Sequence, residues 1–259
     1  MASTTTRSEQ KTGTYVYGVV PADVEVAEDA RGVGDPPAPV KVVRHGELAA
    51  LVSDVALDRP LGRPDDLVAH EQLLDATAAE VPVLPFRFGA VLANAEAVTE
   101  ELLTPHHDEL VEALKELEER AEFVVKGRYV EQAVIREVLD ENPQVAQLRD
   151  EIKEQPEEVS QAARIQLGEI VNQAINAKRE ADTQALVVVL QPLTDFVVVR
   201  DPSHELDAAH LAVLIETERQ DELQEAVDEF AQEHEGRIEL GLRGPLAPWD
   251  FVAAAKPEG

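Results

Sequence analysis

The chain of 259 residues has no cysteine, one methionine and one tryptophan, and aromatic residues make up only 4% of it. Without cysteine there are no disulfides, no thiolate metal ligands and no cysteine nucleophile, which suits a reducing compartment. With so few aromatics, the core must be built mostly from Val, Leu, Ile and Ala. Positive charge is scarce too: 23 Lys and Arg stand against 52 Asp and Glu, a formal net charge of −29. A field of that sign repels phosphate backbones and anionic lipid surfaces, so neither nucleic acid nor membrane is an expected partner. Long hydrophobic runs are also missing. The stretch "ALVVVL" (185–190) is far too short to span a bilayer, and the leading "MASTTTRSEQKTG" lacks the apolar core of a secretory signal. The expected location is cytoplasmic.

The hydrophobic fraction is 44%, enough for a sizeable core in one large domain or two small ones. Residues 1–13 read as a disordered tail. "TYVYGVV" (14–20) is a strand, 21–38 a loop with three Gly/Pro clusters, and "VKVVRHGELAALVS" (40–53) two strands about a turn at His45-Gly46. Asp65 or Asp66 caps a helix running to about Glu80, with Leu67, His70, Leu74 and Thr77 on one face. "VPVLPFRFGAVL" (81–92) reads as a strand at a sheet edge or end, because of Pro82 and Pro85. Asn94 and Thr104-Pro105 are helix starts, the second followed by a stripe of Leu110, Val111, Leu114 and Leu117.

Beyond "AEFVVKGRYV" (121–130), a strand, helices break at Asn142-Pro143 and near Pro156; "ALVVVLQP" (185–192) has strand propensity, but the uninterrupted helical run-in favours continuing the helix to about Leu190, so 185–192 is open between helix and strand. Strands at 196–201 and 209–217, a helix around Leu223, Val227 and Phe230, and a strand at 237–244 complete the chain. That order is the split βαβ of a ferredoxin-like sandwich with its first helix expanded into several. The first half repeats the plan with its first helix replaced by the 21–38 loop. The expected fold is therefore α+β with two related domains. Residues 14–120 form an N-terminal antiparallel sheet with linking helices, 121–259 form a modified ferredoxin-like sandwich, and helices lie on one face of each sheet.

Few residues suggest chemistry. His70-Glu71 lacks the second histidine of a zinc protease, since Leu74 holds that place, so His70 reads as a hydrogen-bonded core or domain-interface residue. His106 and His107 point about 100° apart on a helix and read as solvated. Gly32-Val33-Gly34 lacks the third glycine of a dinucleotide fingerprint, and there is no phosphate-binding loop or nucleophile elbow. No catalytic, cofactor-binding or metal residue is expected. Two apolar segments stand out: "VLPFRFGAVL", where Phe86 and Phe88 share a strand face with Arg87 opposite, available to a carboxylate, and "GPLAPWDFV", where Trp249 and Phe251 are again two apart. Both are either core or a stiff apolar surface for an apolar partner, with Phe86, Phe88, Trp249 and Phe251 as the candidate contacts.

At "YVYGVV", "AHEQLL" (69–74), "VLPFRFGAVL", "AEFVVKGRYV" and the terminal "GPLAPWDFV", the sequence resembles the gas vesicle protein GvpF/GvpL family. The resemblance covers nearly everything after the N-terminal tail and departs at Trp249-Asp250, where the family tends to Tyr-Ser. It implies two α+β domains and an accessory or minor structural role in gas vesicle formation. It also implies association with the vesicle, no catalysis and no cofactor. The implied partner is the hydrophobic shell protein GvpA, whose aggregation the family limits during nucleation and assembly, with other gas vesicle accessory proteins as further candidates. The charge of −29 suits keeping such a complex dispersed. The alternative is a small-molecule-binding regulatory protein built on paired ferredoxin-like domains, which requires a concave pocket with converging polar groups.

Overall fold

The computed structural model describes residues 12–58, 60–194 and 196–252. The expected disordered tail falls outside these residues as far as position 11, while Thr12 and Gly13 already belong to the first strand. The chain divides into two compact units, residues 1–122 with 245–259, and residues 123–244. The last described segment, expected in the second domain, thus folds with the first.

In the first unit, β1 (Thr12–Pro21), β2 (Lys41–His45) and β3 (Leu48–Ala56) are followed by α1 (Pro64–Ala78) and two very short strands, β4 (Leu84–Pro85) and β5 (Val91–Leu92). The sheet order is β2-β3-β1-β4, with β5 also on β1. All these pairings are antiparallel. The expected single strand over 81–92 is therefore broken. Phe86 N still bonds the Tyr17 carbonyl and Val16 N the Ala90 carbonyl, and the chain bows away from β1 in between. Pro85 ends the first piece, and Gly89 takes a φ of +98° inside the bow. Gly46 turns the β2–β3 hairpin with a φ of +59°.

The strand β1 is a nearly continuous apolar run, and the structure uses it as one. Tyr15, Tyr17 and Val20 join a cluster with Ala49, Leu51, Val55 and Leu74. The alternate residues Val16, Val19, Ala50 and Val52 are buried as well. Both sheet faces are thus covered, where helices on one face were expected. A short turn, α2 (Ala95–Ala97), capped by Asn94 Oδ1 from Ala97 N at 2.8 Å, leads into a π-helical turn (Val98–Leu103) and α3 (His107–Glu116). The π-helical turn packs on β2 and β3, and α3 on β1 and β3. Thr104 closes the π-helical turn instead of capping α3, whose N-cap is His106.

The second unit contains most of β6 (Arg120–Tyr129), then α4 (Glu131–Glu141), α5 (Pro143–Glu154), α6 (Glu157–Leu190), β7 (Val197–Val199), β8 (Asp207–Glu216), α7 (Gln220–Glu233) and most of β9 (Ile238–Leu246). Its order, β7-β8-β6-β9, repeats that of the first sheet strand for strand. The helix breaks fall at Asn142-Pro143 and Pro156, and residues 185–190, open between strand and helix by sequence, continue α6 to Leu190. Arg237 ties this unit together. Its guanidinium donates twice to Asp182 of α6 (2.9 and 2.8 Å) and once to Glu137 of α4 (2.6 Å), while the Tyr129 hydroxyl also donates to Asp182. Lys178 meets the same Glu137 at 3.2 Å.

Candidate functional site

Three of the four expected contacts, Phe86, Phe88 and Trp249, meet His70 of α1 in the first unit. This helix does not begin at Asp65 or Asp66. Arg63 is the N-cap, and Asp66, in the first turn, accepts from the backbone N–H of Arg63 (3.2 Å) and Gly62 (3.4 Å). Its other oxygen accepts from Gly34 N at 3.0 Å, which fastens the 21–38 loop to the helix. The buried face is Asp66, His70, Leu74 and Ala78, and Leu67, expected on it, is 41% exposed.

His70 sits at the centre of an aromatic cluster. Its ring centroid lies 5.7 Å from both Tyr15 and Tyr17 and 5.6 Å from both Phe88 and Trp249. Nε2 is 3.0 Å from the Phe86 carbonyl, which only accepts, so Nε2 carries the proton. Nδ1 then accepts from the Tyr15 hydroxyl at 2.9 Å, and that oxygen accepts from Gly89 N at 3.2 Å. Burial lowers the His70 pKa against the opposing pull of the Phe86 carbonyl, so the neutral imidazole is the form this cluster holds. Burial likewise raises both tyrosines, with the Asp66 carboxylate adding to the effect. The Tyr17 hydroxyl accepts from Val33 N at 2.8 Å and donates to Ser53 Oγ at 3.0 Å; Ser53 donates on to the Pro39 carbonyl.

The four candidate contacts occupy different places here. Phe88 and Trp249 pack on the core cluster around His70 and are half-buried. Phe86, also half-buried, contributes its backbone carbonyl to His70, and it does not share a flat strand face with Phe88 because the chain bows between them. Phe251 is half-buried in the closing turn, where its N–H and that of Val252 bond the Pro248 carbonyl. The tail itself is held by two carboxylates: Asp75 accepts from Ala247 N (2.9 Å) and Glu122 from Asp250 N (3.0 Å). Arg87 is exposed, with no ion pair among the described residues. The tyrosine hydroxyls, Ser53 and Asp66 were not singled out by sequence. The readable signal was Tyr15 and Tyr17 two apart on a strand, beside a long loop needing polar anchors.

Elsewhere, His107 is not fully solvated. It is half-buried against the hairpin turn, its ring 6.0 Å from that of His45, with Nδ1 donating to Asp108 at 3.1 Å. Among the described residues, no group of three His, Asp or Glu side chains is placed to hold a metal ion, and no helix is long and apolar enough to cross a membrane. A groove of about 580 Å³ between α4 and α5 is lined by Ile135, Leu139 and Ala146 with Glu131, Arg136 and Arg149 around them.

Two sheets of one ferredoxin-like strand order, each with its own helices and core, define an α+β protein of paired ferredoxin-like domains. The family described as "Gas vesicle synthesis protein GvpL/GvpF" matches residues 13–253, and the chain belongs to that family. A relative named gas vesicle protein F, from Streptomyces sp. (strain CB03234), is 34% identical over 249 residues, covering 92% of this chain and 99% of its own. Gas vesicle protein L of the same organism is 28% identical over 274 residues, covering 94% of each. The crystal structure of the gas vesicle protein GvpF from Anabaena sp. PCC7120 superposes with a TM-score of 0.76 at 25% identity, over 95% of this chain and 100% of that one.

Proposed function

We propose that this chain is an accessory or minor structural protein of gas vesicle formation, which binds the shell protein GvpA and limits its aggregation during nucleation and assembly. The observation that carries the reading is the match of a gas vesicle synthesis family to residues 13–253. Physical chemistry supports it. A shell subunit exposes apolar surface before it assembles, and such surface aggregates. A partner that covers this surface while carrying a net charge of −29 keeps the complex dispersed by repulsion between complexes. In the first unit, docking uses the half-buried aromatic faces of Phe86, Phe88, Trp249 and Phe251. The protein works in the cytoplasm at the growing vesicle, without catalysis.

The test is co-expression of the full chain with GvpA, followed by pull-down and sedimentation. Soluble shell protein that copurifies with this chain is the expected result. No association and no gain in soluble shell protein would overturn the reading.

A further inference from the structure

Nine large apolar side chains are exposed among the described residues, and four of them fall within 188–199: Val188 (54%), Val189 (36%), Phe196 (48%) and Val199 (60%). The first two lie at the end of α6; Phe196 precedes and Val199 ends β7, the edge strand of the second sheet. β7 pairs antiparallel with β8 in the register Val197↔Val213, Val198↔Ala212, Val199↔Leu211. The Phe196 carbonyl accepts from Leu214 N, and Arg200 N donates to the His210 carbonyl. The Phe196 carbonyl, Val198 and the Arg200 N–H therefore face β8, while the Phe196 N–H donates to the Thr194 hydroxyl. By strand alternation, Val197 and Val199 direct an N–H and a C=O each away from the sheet. The open edge thus offers two donors and two acceptors beside apolar side chains.

The other sheet edges are blunted. In the first unit, Arg44 of β2 donates to the Ala22 and Val24 carbonyls, which ties the 22–24 loop against that edge, and Lys41 pairs with Asp54. The opposite edge is two short strands split after Pro85. In the second sheet, β9 carries Glu239, Arg243 and Pro245. Lysine, proline and interrupted strands are the usual protection against edge pairing. The run Phe196–Val199 has none of them.

We propose that β7 is a docking edge that pairs with an extended apolar segment of a partner protein, adding a fifth strand to the second sheet. Charge selects the occupant. A second copy would bring another −29 to the same edge, so self-pairing is opposed, and a segment from a protein without this negative charge is favoured. The identity of the probe rests on the proposed function, under which that partner is the shell protein.

The test uses the full chain co-expressed with GvpA and two edge variants. Val199→Lys places a charge on the open edge. Val197→Pro removes one outward N–H, at a position whose amide does not serve the fold. Val159→Lys is the control, since Val159 is 70% exposed on α6, away from β7. Each edge variant is expected to reduce copurified shell protein at least tenfold with an unchanged melting transition, while the control binds like wild type. Hydrogen exchange of the wild-type complex is expected to protect the Val197 and Val199 amides. If wild type captures shell protein and both edge variants capture it within twofold, the edge inference is wrong and the proposed function stands. If wild type captures none, both fall together.

Discussion

Tyr17 offers a direct test of how the 21–38 loop is held. Its ring is fully buried, and its hydroxyl accepts from Val33 N at 2.8 Å and donates to Ser53 Oγ at 3.0 Å. Tyr17→Phe keeps the ring and removes both bonds. Val33 is itself fully buried, so its N–H is left without a partner, which costs about 1–3 kcal/mol. Ser53 still donates to the Pro39 carbonyl and loses little. The expected destabilisation is roughly 2–3 kcal/mol. The only tryptophan, Trp249, lies in this unit, with its ring centroid 5.6 Å from that of His70, so its fluorescence reports unfolding of this unit. With a urea slope of about 1–3 kcal/mol/M, the midpoint should fall by about 1 M. A midpoint unchanged within about 0.2 M would refute the assignment of the loop anchor to this hydroxyl. Gly32→Ala attacks the same contact from the other side, because a Cβ there overlaps the Tyr17 hydroxyl. It should cost at least as much.

Three further outcomes are expected. His70 has a folded pKa below that of an unfolded histidine, about 6.5, so below that pH the unfolded chain takes up a proton that the folded chain resists. Stability of the first unit should be flat above about pH 6.5 and fall as pH drops below it, by up to about 1.4 kcal/mol per pH unit; the difference between wild type and His70→Gln urea curves at pH 7.5 and 5.5 checks this. Gly244 has a φ of +150°, and a Cβ there runs into the Phe123 ring, so Gly244→Ala should lower the midpoint followed by far-UV circular dichroism. Arg237→Met leaves Asp182 with the Tyr129 hydroxyl and Glu137 with Lys178, and should cost about 1–3 kcal/mol at low salt, discounted because the guanidinium side chain is 24% exposed.

Much of the fold was legible because its signals are local. Pro143 and Pro156 cut the helices where they stand, and Gly46 turns the hairpin. The repeated strand order follows from counting strands and helices. The missed features depend on tertiary partners. Pro85 marked a strand end, but no local pattern says that residues 86–90 bow out to bring a carbonyl to His70 and an N–H to Tyr15. Asp66 looked like a conventional cap. It lies one turn further in because it also holds Gly34, 32 residues earlier. The destination of the tail was hidden for the same reason: Asp75 is 172 residues from the N–H it accepts.

That destination changes how the aromatic tail must be tested. If the tail were simply an exposed docking surface, removing Trp249 and Phe251 would weaken association and leave melting unchanged. Trp249, however, packs on the core cluster with its ring against His70, whereas Phe251 is not part of that packing. Trp249→Ala should therefore cost stability, about 1–3 kcal/mol for a half-buried ring, and any loss of binding would be confounded by it. Phe251→Ser separates the two effects. The expected result is less shell protein captured at an unchanged urea midpoint of the Trp249 signal. Full capture by Phe251→Ser would show that the tail locks the first unit and takes no part in docking. The partner surface would then have to be sought away from it.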